Sequence, residues 1–191
     1  MRAQLLSMLL LVELLAGCAG QSGLKPVEVL DDRTGMTVGA LKEPIELVPG
    51  QQSALLLSRK HMTFAYLGPV EWNRSGTLSY GLWVHIAPGA DQQAGDIHAP
   101  AALTLILDDG PLALTLIDAP RLGADPYRQV VSWGQTAYFG LDVANLRRMA
   151  ASRKLVLEVR AAAGSSVTFS PTRDTGAILT EYLSSRGITG D

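Results

Sequence analysis

One thiol and a small set of aromatic and imidazole side chains carry whatever chemistry this chain of 191 residues offers. Cys18 is its single cysteine, and it closes the string Leu15-Ala16-Gly17-Cys18. A cysteine placed directly after small residues, at the end of an apolar run, sits where a signal peptide would be cut. The histidines are His61, His85 and His98. No two have the close spacing that would bring metal ligands together on one element. His98 lies near Asp91 and Asp96 in a polar loop, where a weak cation site competes with a plainly solvated loop. The chain lacks the G-x-S-x-G elbow, H-E-x-x-H, the phosphate-binding P-loop and the dinucleotide glycine fingerprint. Gly76-Thr77-Leu78-Ser79-Tyr80-Gly81 comes nearest to an elbow, with the wrong spacing and inside an expected strand. No catalytic residue, metal or cofactor is therefore assigned, and the expectation is a protein that is not an enzyme.

Ahead of Cys18, Met1-Arg2 gives a short positive start, and Leu5 to Leu15 is almost wholly apolar apart from Ser7 and Glu13. Such a run is shorter than the ~18 residues that span a bilayer, and it fits the core of a secretory signal peptide. The alternative is an ordinary cysteine behind a buried helix. The segment Leu15-Ala16-Gly17-Cys18 resembles the lipobox of bacterial lipoproteins, with Glu13 as a departure from an apolar core. The resemblance implies cleavage before Cys18, lipidation of its thiol with palmitate or a similar acyl chain, and a membrane anchor. Ala19 after the cysteine, rather than Asp, then implies sorting to the outer membrane with the domain facing the periplasm. Residues 1–17 are read as signal peptide, 18–26 as lipidated cysteine and tether, and 27–191 as one β-rich domain. Once the thiol is lipidated, that domain has no cysteine with which to form a disulfide.

The elements that must position the side chains follow from apolar stretches punctuated by turn residues. Strands are expected over residues 27–30, 36–41, 45–48, 53–58, 62–67 and 70–72. A turn over Asn73-Arg74-Ser75-Gly76 leads into another at 77–86. A hairpin pairs 102–108 with 112–117 across Asp109-Gly110, and its apolar residues on both faces place it centrally in a sheet. Asp142 is expected to cap a helix over 143–152, with Leu141 and Leu146 forming a hydrophobic staple. Strands at 154–160 and 167–170 follow. A last helix begins near Asp174 or Thr175, shows Ile178, Leu179, Tyr182 and Leu183 on one face, and ends at Gly187. The predicted fold is mainly β: an antiparallel β-sandwich or barrel-like domain with two helices in the C-terminal third. This order of hairpin, acid-capped helix and strands around Gly164 resembles the periplasmic invasion-associated locus B proteins. The cysteines common in those proteins are missing here, so neither site nor function is carried over.

Trp72, Tyr80, Trp83 and His85 fall in one expected hairpin and make a candidate binding patch; Trp133 lies further on. Trp83 and His85 share a strand face. That face is either an exposed recognition surface or a second buried layer beneath a helix. A formal net charge of −2 without a basic run argues against nucleic acid as a partner. The expected role is a non-catalytic binding or accessory module of a cell-envelope complex, with an envelope protein or glycan as partner. A carrier of a lipid or small apolar ligand is the alternative, and an enzyme of unrecognised type the third.

Overall fold

The computed structural model describes residues 24–50, 62–89, 102–160 and 166–188. Cys18, His61, His98 and the expected strand at 53–58 lie outside the described residues. Among the described residues, ten strands and two helices follow one another along the chain. They are β1 (Pro26–Asp31), β2 (Met36–Leu41), β3 (Ile45–Pro49), β4 (Phe64–Arg74), β5 (Thr77–Ala87), β6 (Ala102–Leu107), β7 (Gly110–Thr115), β8 (Gln135–Leu141), α1 (Val143–Ala151), β9 (Val156–Arg160), β10 (Ser166–Pro171) and α2 (Thr175–Ser185). The domain is mainly β and antiparallel, with both helices in the C-terminal third, as the sequence pattern implies. Among the described residues no helix is long and apolar enough to cross a membrane.

The strand order is β1-β2-β4-β3-β10-β9-β6-β7, with β5 joined to β4 and β8 joined to β5. β4 and β5 pair from Arg74↔Thr77 to Phe64↔Ala87. Their turn needs positive φ at Ser75 (51°) and Gly76 (91°), and the Asn73 side chain accepts the Gly76 N–H at 2.8 Å. On its other edge β4 serves two partners. Ile45–Leu47 pair with Ala65–Leu67, and Thr37–Ala40 pair with Val70–Asn73. The expected strands at 62–67 and 70–72 are thus one strand running through Gly68-Pro69. Proline is tolerated there because its missing N–H lies at the gap between the β2 and β3 ladders, where no ladder bond is required.

The β6–β7 hairpin does not sit centrally, contrary to the pattern-based expectation. It ends the strand order. Leu103, Leu105 and Leu107 are buried, while Pro111, Ala113 and Thr115 on β7 face solvent. Among the described residues, one bridge, Leu116↔Phe139, and a bond from Ile117 N–H to the Tyr138 carbonyl (2.9 Å) tie the end of β7 to β8. The sheet is barrel-like but not closed.

Both helices start on the aspartates that the sequence nominates. Asp142 accepts the Asn145 N–H at 2.7 Å, and Asp174 accepts the Ala177 N–H at 3.2 Å. Each satisfies a backbone donor that the helix itself cannot. Leu146 and Met149 of α1 and Leu179, Tyr182 and Leu183 of α2 enter the same core cluster as the strands. Past α2, Gly187 has φ +68°, a conformation suited to glycine at a helix end.

Candidate functional site

The period of two along β4 and β5 sorts the candidate aromatics onto two faces. Pairings Trp72↔Ser79, Val70↔Gly81 and Gly68↔Trp83 put Trp72, Trp83 and His85 on one face, and β8 adds Tyr138 opposite Trp83. Tyr80 points the other way. It is half-buried, and its hydroxyl bonds to Glu71, itself buried beside it. Burial first, and the Glu71 carboxylate second, push the Tyr80 phenol up. The four residues therefore do not form one patch.

Trp72, Trp83 and His85 are buried, at 2%, 0% and 0% exposure. Their cover is the irregular segment 116–134, not a helix. Tyr127 is the plug of that segment. Its ring lies 5.0 Å from Trp83, and it fills the space over Gly68, where a Cβ would meet the ring at 2.3 Å. Its hydroxyl donates to the Pro69 carbonyl (2.8 Å) and accepts the Leu41 N–H (3.0 Å). One phenol thus bridges β2 and β4 at the gap where β4 changes partners. Gly81 is as specific: a Cβ there would meet the Trp72 ring at 2.5 Å.

His85 stacks on Trp83, with centroids 5.6 Å apart and planes 18° from parallel. Its Nδ1 lies 2.9 Å from the Thr136 hydroxyl. Gly134 packs directly on the imidazole, since a Cβ there would come within 2.4 Å of the ring. Burial lowers the His85 pKa and holds the ring neutral. The arrangement is that of a packed aromatic layer. It offers a ligand no stacking platform.

The same sheet face is open further along. Between the β1–β2 hairpin and residues 123–126 lies a groove of about 380 Å³. Val27, Val29, Val38 and Ala40 form its floor, and Asp31, Asp32, Arg33 and Asp125 stand at its rim. Asp31 builds this groove. One carboxylate oxygen accepts the Gly123 N–H at 2.7 Å, tying the hairpin to the covering segment. The other takes the Thr34 N–H (3.1 Å) and the Thr34 hydroxyl, which fixes the turn. The Thr34 hydroxyl, ahead of the Gly123 and Thr34 N–H groups, holds the Asp31 carboxyl below its usual range. Asp125 accepts the Tyr138 hydroxyl at 3.4 Å and so connects the rim to the aromatic layer. Sequence reading picked out neither Tyr127 nor the groove.

Behind the hairpin, on the opposite face, α2 supplies the support. The Tyr182 hydroxyl donates to the Gly39 carbonyl at 3.3 Å. Arg186, whose side chain is 7% exposed, donates to Glu28 (2.7 Å) and to the Val27 carbonyl (2.6 Å). Its guanidinium lies over Gly39, where a Cβ would come within 2.7 Å of Cζ. Among the described residues no group of three or more His, Cys, Asp or Glu could hold a metal ion. No family model, curated protein or solved structure matches the chain.

Proposed function

We propose that the protein is a lipid-anchored envelope module. In this reading Cys18 carries the acyl anchor, the domain faces the periplasm from the outer membrane, and the groove beside β1 binds a segment of another envelope protein. The observation that carries the binding reading is the groove itself: an apolar floor, three carboxylates and one guanidinium at the rim, held open by Asp31. Such a surface suits an aliphatic side chain flanked by basic groups, because the apolar part gains from burial and the cation from the carboxylates. A glycan would ask for an exposed aromatic platform, whereas Trp72 and Trp83 are buried and the half-exposed Trp133 does not line the groove. The carrier reading draws on the same groove, whose volume falls in the range of about 300–1,000 Å³ typical of small-ligand sites.

Two experiments test the proposal separately. Cys18→Ala should abolish metabolic incorporation of a palmitate analogue; label retained in the variant refutes the anchor. A photo-crosslinking side chain placed at Asp32 in the lipidated protein should give a discrete protein adduct in cells. An adduct with lipid alone would favour the carrier, and equal adducts from a position on the far side of the domain would refute the groove.

A further inference from the structure

The two ends of β1 differ in charge. Its far end carries Asp31 and Asp32, which share the groove rim with Asp125. Its near end follows Leu24, which lines a cleft of about 340 Å³ together with Pro44, Tyr66, Val130 and Arg173. The Lys42 N–H bonds to the Lys25 carbonyl, so two exposed lysines stand beside Leu24. Arg173 in the cleft and Arg128, two positions before Val130, are exposed as well. These four cations outnumber the nearby acids Glu43, Glu46 and Asp174, on a chain whose net charge is −2. Val130 and Trp133 are each 50% exposed. The Trp133 indole N–H donates to the Pro88 carbonyl at 3.2 Å, so the ring can enter an apolar phase without a bare donor.

We propose that this end of the domain lies against the lipid surface. Val130 and Trp133 enter the headgroup region, and Lys25, Lys42, Arg128 and Arg173 meet lipid phosphates. The orientation rests on the acyl anchor at Cys18 and adds to it a direct contact between folded domain and lipid. Tether length favours it. Six peptide steps carry the chain from Cys18 to Leu24, a reach of about 20 Å at full extension. From Leu24 to Asp31 the chain covers about the same distance. Turned over, the domain would hold its tether at full stretch and press Asp31 and Asp32 onto anionic lipid. With Leu24 down, the tether keeps its conformational freedom and the acidic rim of the groove stands at the end away from the lipid.

Trp133 is its own reporter, because the other two tryptophans, Trp72 and Trp83, are buried. The full-length lipidated protein is reconstituted into mixed phosphatidylcholine–phosphatidylglycerol vesicles with brominated acyl chains, and flotation is scored on the same samples. Wild type should float and lose tryptophan emission relative to unbrominated vesicles. Trp133→Phe should float equally and lose almost none. Lys25→Glu/Lys42→Glu should float as wild type does, with weaker quenching. Asp32→Trp on the Trp133→Phe background reports from the far end of β1 and should stay unquenched. Failure of wild type to float would refute the anchor and the orientation with it. Flotation without quenching of Trp133, or quenching as strong at position 32 as at position 133, would overturn the orientation alone.

Discussion

One face of the sheet is finished in two ways. Over β4, β5 and β8 it is sealed: Trp72, Trp83, His85 and Tyr138 lie under segment 116–134, with Tyr127 driven into the gap beside Gly68. Over β1 and β2 it is left open as the groove floored by Val27, Val29, Val38 and Ala40. The large aromatics, which in the sequence look like the recognition surface, are spent on holding the cover down. The small aliphatic residues are what the surface presents. Tryptophans on the adjacent strands β4 and β5 thus mark the sealed half, and the open groove lies next to it.

The largest effect should come from the sealed half. Trp83→Ala removes a fully buried ring in contact with Tyr127 and His85 and should cost about 3–5 kcal/mol in denaturant melts. A loss within the ~0.5 kcal/mol usual for surface positions would mean that the cover is not seated on the aromatic layer. Tyr127→Phe keeps the ring but strips the Leu41 N–H and the Pro69 carbonyl of their shared partner. It should cost about 1–3 kcal/mol, the range for leaving buried backbone groups unsatisfied.

His85 sharpens the contrast through pH. Its folded pKa is depressed by burial, so its contribution is complete above the unfolded value of about 6.5 and is lost as pH falls through that window toward the folded value. The groups packed on it (Trp83, Tyr66, Thr136 and Gly134) are neutral and cannot hold the charged form. Melting temperatures of wild type should decline between about pH 7 and pH 5, and the decline should shrink in His85→Gln. At the open half the titrating group is Asp31. Its folded pKa is also depressed, so its contribution is present above about pH 4 and is lost as acid protonates it. Asp31→Asn should lower the melting temperature slightly at neutral pH and differ less from wild type as pH falls below about 4. Parallel curves for the two proteins would remove Asp31 from its tying role.

Local signals were enough for much of this architecture. Turn residues and apolar alternation delimit β2 at Met36–Leu41 as found, and Asp142 and Asp174 announce their helices because a cap lies within three residues of the groups it satisfies. What escaped depends on pairing between distant segments. Gly68-Pro69 reads as a break, yet β4 continues through it because Tyr127, far along the chain, fills the gap between two ladders. The hairpin at β6 and β7 shows apolar residues on both faces, but alternation alone cannot say which neighbours a strand obtains. Tyr80 looks like a companion of Trp83, and strand parity sends it to the opposite face with Glu71. The groove joins Val27 and Val38 to residues 123–126, a juxtaposition that no local pattern encodes. A tyrosine in a segment rich in Pro, Gly and Asp was the one hint that the segment 116–134 had something to bury.

The central claim is that the groove, and not the aromatic layer, is the working surface. Asp32 and Asp125 are exposed at its rim, and the Asp125 bond to the Tyr138 hydroxyl is long (3.4 Å), so replacing both with lysine should cost no more than about 1.5 kcal/mol and leave the protein folded. Affinity capture from cross-linked cells, with wild type and Asp32→Lys/Asp125→Lys proteins compared at equal abundance, measures the consequence. The account predicts that an envelope protein recovered with wild type is lost from the folded double variant. Undiminished recovery of that protein by the double variant would contradict it.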